Sequence, residues 1–176
     1  ADRFHAITAD DIVLHSIVDD RESLGRDRLL GSWFGAISNG HGSNSIVVDA
    51  GTAVTIDVVD KNGHQGGLIF PGADTCLTAV SAQTDALPNL TLAGPPELNT
   101  EIRLGRSTEP AILLGVHQLQ LFGIVAMVRS LQQQFDEAQV FCCGGALESV
   151  KHLLPNEWTY SPDFLIEAIF SLKKHI

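Results

Sequence analysis

Apolar positions along the chain change their spacing from segment to segment, and the spacing predicts the elements. Within "ESLGRDRLLGSWFGAIS", Leu29, Leu30, Trp33, Phe34 and Ile37 recur at helical intervals. After Gly40 and Gly42 the pattern turns β-branched. Ile46-Val47-Val48 and the run Ala53 to Val59 predict two strands, and only Gly51 and Thr52 supply turn chemistry between them. Lys61-Asn62-Gly63 is the next turn, and Gln65 to Phe70 reads as a third strand. Cys76, Leu77, Val80, Ala86 and Leu87 then fall on one side of a helix over 73–87, and the prolines of "LPNLTLAGPPEL" mark a loop.

Ser107 or Thr108 offers a cap for a long helix through "AILLGVHQLQLFGIVAMVRSLQQQF", apolar on nearly every face until Arg129. A helix apolar all round needs cover all round, which predicts contact with another subunit. Ala138 to Cys142 is a short strand ended by Gly144-Gly145. "ALESVKHLL" reads as a helix, "WTY" as a strand, and "PDFLIEAIFSLKKH" as a closing helix with lysines in its last turn. Upstream, Asp10 to Asp20 reads as a short strand or a helical turn. The order from Ser45 onward, β-β-β-α-α-β-α-β-α, implies an α/β fold: a mixed sheet flanked by helices.

Composition narrows the function. With 21 acidic and 11 basic residues the formal net charge is −10, and no Lys/Arg stripe exists, so nucleic acid is not an expected partner. Cys76, Cys142 and Cys143 fit a reduced, cytoplasmic protein better than a disulfide scaffold, and no zinc-ligand spacing occurs. The first residues lack a signal-peptide pattern, and the most apolar run, Leu121 to Val128, is too short to span a bilayer, so no membrane is expected.

Several motifs carry candidate chemistry, each beside a plainer reading. Asp49-Ala50-Gly51-Thr52 ends a strand with donors and a glycine that permits close approach, which suits a polyphosphate; it equally suits a hairpin turn capped by Asp49. In Gly25-Arg26-Asp27-Arg28 the acid between two arginines stays ionised, and Arg28 can grip a carboxylate or phosphate with two N–H groups; a surface ion pair at a helix start is the alternative. Gly66-Gly67 and Pro71-Gly72 read as shape-giving. Thr108 reads as a cap, and His117 as a satisfied interface histidine. Cys143, before Gly144 and Gly145, reads as a small core residue.

Taken in order, "LGRDR", "VVDAGTAVTID", "GGLIFPG", "GRSTEPAILLG" and "CCGGALESV" resemble the type III pantothenate kinases. That family belongs to the acetate-kinase/sugar-kinase/Hsp70/actin superfamily and has a ribonuclease-H-like (actin-like ATPase) fold. The resemblance implies transfer of phosphate from ATP to pantothenate, with magnesium and a monovalent cation (potassium or ammonium), in a homodimer whose substrate site forms at the interface. It implies Asp27 as proton acceptor, Gly25, Arg26, Asp27, Arg28 and Thr108 as substrate contacts, and Gly51, Thr52, Gly144 and Gly145 as ATP contacts. Asp49 is implied to hold the monovalent cation.

Two departures shape the expectation. Cys143 stands where relatives carry threonine. The family's Asp-x-Gly-Asn-Thr phosphate loop is absent from these residues, so 1–42 are expected to be a remnant of the N-terminal subdomain with a connecting helix, and 43–176 the ribonuclease-H-like C-terminal domain. The chain is then expected to be a fragment of the enzyme or else a variant that lost half its ATP site, and to be inactive by itself. The missing loop also motivates a second reading, a non-catalytic regulatory protein on the same fold.

Overall fold

The hairpin expected around Gly51 is formed by β1 (Ser45–Ala50) and β2 (Ala53–Asp60), and β3 (Gly63–Pro71) extends it as an antiparallel meander. The structure is a computed structural model that describes residues 7–14, 16, 24–40, 42–91 and 94–173. On the other side of β1, β4 (Gln139–Cys143) and then β5 (Thr159–Tyr160) add in parallel, giving one five-stranded sheet of order β3-β2-β1-β4-β5. Four α-helices accompany it among the described residues: α1 (Arg26–Ser38), α2 (Ala73–Ala82), α3 (Thr108–Gln134) and α4 (Phe164–Leu172).

Strand side chains alternate between faces, and that period of two decides what each layer receives. Ile46, Val48 and Ala50 of β1, with Val54, Ile56 and Val58 of β2, pack against Leu121, Ile124 and Val128 of α3. Val47 points the other way, where Phe141 and Phe164 join it beneath α1 and α4. Asp49 and Asp57 share the parity of Val47, since Val47 stands opposite Asp57 across the hairpin. Both acids therefore face the α1 layer. A mixed sheet of this order, with helices on both faces, is the ribonuclease-H-like, actin-like ATPase fold expected from the motifs.

Two local expectations change. "ALESVKHLL" is not an α-helix but two 3₁₀ turns, Gly145–Leu147 and Lys151–Leu153. Its buried residues are Leu147, Val150 and Leu154, with Leu153 partly buried against them, so the stretch keeps an inward face without a continuous α-helix. Helix α2 stops at Ala82 with Gln83 as its C-cap, short of Leu87. Upstream, Ala9–Asp11 forms a 3₁₀ turn and Ser16 bridges to His64, whereas His15 and residues 17–20 of that stretch lie outside the described residues. Of the closing lysines, Lys173 caps α4 and Lys174 lies outside them.

The 27-residue α3 does have the length and apolar content to cross a membrane, with mean hydropathy 1.9 over 18 residues. Judging the run Leu121 to Val128 alone missed this. Here one stripe of α3 closes the sheet, while Leu119 and Met127 stay exposed at 66% and 38%.

Candidate functional site

The turn between β1 and β2 is held from outside. The Gly72 N–H and the Thr75 hydroxyl both donate to the Thr52 carbonyl oxygen, at 2.9 and 2.7 Å, and the Gly51 N–H donates to the Ala53 carbonyl at 2.9 Å. A Cβ at Gly72 would collide with the carbonyl oxygens of Gly51 and Thr52. Gly72 is thus fixed by close approach of backbone, which explains its shape-giving part in the sequence. Gly72→Ala is expected to cost about 3 kcal/mol, because the atoms it would meet are main chain and cannot rotate away. Urea denaturation of the variant checks this.

Beside this turn lies a cleft of about 550 Å³ on the α3 side of the sheet. Gly51, Thr52, Asp74, His117 and Gln120 line it, and Gly145 closes it from the end of β4. The side of Gly145 where a Cβ would stand is empty to 4 Å, and at Gly51 the nearest atom is 3.9 Å away. Gly145 therefore offers open backbone to a ligand in the cleft, while Gly51, whose N–H is engaged by the Ala53 carbonyl, leaves room for close approach. Gly144, at φ 93°, packs instead against the Ala50 backbone and does not line the cleft. His117 differs from the expectation of a satisfied side chain: its Nε2 is buried without a hydrogen-bond partner among the described residues. Burial also lowers its pKa, which keeps the ring neutral.

Across the sheet, at the same end of β1, negative charge accumulates. The Asp49 carboxyl is held above the usual aspartate range, first by burial and then by the charges of Asp27 and Asp57. Cys143 stands opposite Asp49 in the β1–β4 register, and its thiol beside that carboxylate partly offsets the rise. Burial and Asp49 together push the Cys143 thiol up, and burial pushes Cys142 up to about 12, so both remain thiols at neutral pH. This agrees with the reading of Cys143 as a core residue.

Gly25 caps α1 by position, and Asp27 in its first turn accepts the Arg28 N–H at 2.8 Å. The Arg26 guanidinium donates to the Ile7 carbonyl at 3.4 Å. Arg28 turns inward: its Nε and Nη2 donate to Asp57 Oδ2 and Oδ1 at 3.1 and 2.6 Å. His64 Nε2 lies 2.7 Å from the same Asp57 Oδ1, and Ser16 Oγ lies 3.3 Å from His64 Nδ1. Thr108 opens α3, is exposed, and is not among the residues lining the cleft.

The fold thus brings Gly51, Thr52 and Gly145 to one cleft and gathers Asp27, Asp49 and Arg28 at the opposite face of the same strand end. Asp57 and His64 were missed by sequence reasoning. The available signal was an acid inside the apolar run Ala53 to Val59, which must find a partner once buried.

Comparison with known proteins accords with this geometry. The family profile described as type III pantothenate kinase matches residues 4–133. A type III pantothenate kinase of Desulfovibrio desulfuricans is 35% identical over 151 residues, covering 83% of this chain and 55% of that protein. One from Rhizorhabdus wittichii is 36% identical over 158 residues, covering 86% and 57%. The chain therefore spans little more than half the length of these relatives. Among solved structures, a Campylobacter jejuni protein assigned to the Baf family of transcriptional activators superposes with a TM-score of 0.64 at 20% identity, over 95% of this chain and 70% of that one. At that identity the match speaks for the fold alone.

Proposed function

Because the chain belongs to the type III pantothenate kinase family, we propose that the whole protein phosphorylates pantothenate with ATP, giving 4′-phosphopantothenate and ADP. The observation that carries this reading is the cleft in which the Gly51–Thr52 turn, with the exposed Thr52 hydroxyl, and Gly145 face one ligand. In this reading Thr52 holds phosphate oxygens through its exposed hydroxyl, Gly51 lets them approach the turn closely, and Gly145, with Gly144 setting the turn beneath it, takes the adenosine side. Asp27 orients the pantothenate hydroxyl and accepts its proton late, since phosphoryl transfer depends on positioning more than on a strong base. Gly25, Arg26 and Arg28 form the remaining substrate contacts in this chain.

The donor set at Asp49 fits a monovalent cation, because a half-buried carboxylate beside Asp27 and Asp57 gains from an added positive charge. Bound there, potassium or ammonium would neutralise charge near the phosphates. Among the described residues no group of three or more His, Cys, Asp or Glu side chains is placed to hold a metal ion, and no magnesium contact is assigned to them. The exposed apolar surface of α3 supports association of two copies, with Thr108 serving the substrate site of the second copy rather than its own. A coupled assay of the whole protein with potassium or ammonium is expected to show pantothenate-dependent ADP formation; its absence rejects the reading.

The cation assignment has a pH signature. A raised pKa means Asp49 keeps its proton to higher pH in the folded protein than an ordinary aspartate does. Potassium needs the ionised form, so its affinity should rise with pH through the raised pKa and fall below it. Cys143→Ala removes the S–H that lowers this pKa and should move the loss to still higher pH. Potassium titrations of the rate across pH, with both proteins, measure it.

A further inference from the structure

Asp57 and His64 have no place in the chemistry above, yet they form the most buried polar cluster among the described residues. Asp57 is 2% exposed, His64 is fully buried, and the Arg28 side chain is 14% exposed. Arg28 spends its Nε–H and one Nη2 proton on the two oxygens of Asp57. A guanidinium has five N–H donors in one plane. Both Nη1 protons and the second Nη2 proton remain, without a partner among the described residues. That remaining Nη1/Nη2 edge is itself a two-pronged fork that matches a carboxylate.

What sets the plane of the fork is Asp57, and what sets Asp57 is His64, whose Nε2 lies 2.7 Å from the same Oδ1. Gly67 completes the arrangement. A Cβ there would stand 2.5 Å from Asp57 Oδ1 and 2.7 Å from Arg28 Nη2, so only glycine leaves room for the pair. Alternative uses of the cluster fit less well. His64 has no access to solvent, and Asp57 has both oxygens engaged, so neither can reach a substrate.

We infer that Asp57 and His64 are positioning residues that present the free Nη1/Nη2 edge of Arg28 to the carboxylate of the acceptor substrate. This rests on the proposed pantothenate site. It extends that site from the arginine to the buried pair behind it, and predicts that selectivity for an anionic acceptor depends on His64.

The test uses the whole protein and the variants Asp57→Asn, His64→Leu and His64→Gln. Glutamine can place an amide N–H near the position of the histidine Nε2; leucine cannot. The expected result is a KM for pantothenate raised about tenfold in His64→Leu and Asp57→Asn, with kcat and the KM for ATP within about twofold, and near-complete recovery in His64→Gln. Competition by the neutral amide of pantothenate should be unchanged in all three, because it has no carboxylate for Arg28 to grip. A parallel loss of kcat and both KM values, or a His64→Gln protein no better than His64→Leu, overturns the inference.

Nitrogen-15 NMR of the Arg28 Nε–H separates this from the reaction itself. The signal should be protected from exchange in the wild type and His64→Gln and lost in His64→Leu. If the wild type makes no ADP but this pattern holds, the reaction falls and the anchoring of Arg28 stands; an unprotected Nε–H in the wild type overturns the anchoring. Should Asp57→Asn fail to fold, the two His64 variants decide the matter.

Discussion

Asp57→Ala is expected to lose about 3–5 kcal/mol of folding stability, the largest effect of any single substitution in the sheet. Asp57 takes both prongs of Arg28 and the ring of His64 in an environment where its own side chain is 2% exposed. Removing the acid leaves a guanidinium mostly enclosed and without its countercharge, and a fully buried imidazole without a hydrogen-bond partner for Nε2. Such groups lose their hydration on folding and regain nothing for it. Truncating Asp57 while removing the charge at Arg28, as in Asp57→Leu with Arg28→Met, should cost markedly less, because no unpaired charge remains. Equilibrium denaturation of the single and double variants measures the difference. Equal losses in the two would show that packing, not the unpaired charge, sets the cost.

The second large effect concerns turnover. With Asp27 as the proposed proton acceptor, Asp27→Asn should lower kcat by about 10²–10⁴-fold and leave stability within about 0.5 kcal/mol. The asymmetry follows from location. Asp27 is exposed in the first turn of α1, where its carboxylate accepts the adjacent Arg28 N–H, and asparagine can accept that bond equally well. Steady-state kinetics with a thermal melt of the same protein resolve the two quantities. A kcat within threefold of wild type removes Asp27 from the chemistry.

Much of the fold was legible in the sequence because it was written in periodicity. The β-branched runs on either side of Gly51-Thr52 could pair only as a hairpin, and the strands that followed had glycine turns at their ends. The stretch after Gly145 was not legible as 3₁₀ turns, since spacings of three and of three-to-four are hard to tell apart over nine residues, and the buried Leu147, Val150 and Leu154 suit a helical face as well. The candidate site divided in the same way. Gly51, Thr52 and Gly145 announce themselves as turns at strand ends, and the fold then brings them to one cleft. The partnership of Arg28, Asp57 and His64 joins a helix start to two strands 29 and 36 residues later, a meeting that depends on how α1 lies on the sheet. Only the oddity of an acid in an apolar strand was visible beforehand.

The alternation of β1 has a kinetic consequence. Asp49 looks toward α1, while Ala50 and the turn after it look into the cleft beside α3. The nucleotide and the acceptor alcohol would therefore approach one strand end from opposite sides of the sheet, sharing the point of reaction but no walls. Neither should compete with the other for binding at saturating concentrations. Double-reciprocal plots for the two substrates should intersect, as for a ternary complex, rather than run parallel as for a phosphorylated enzyme intermediate.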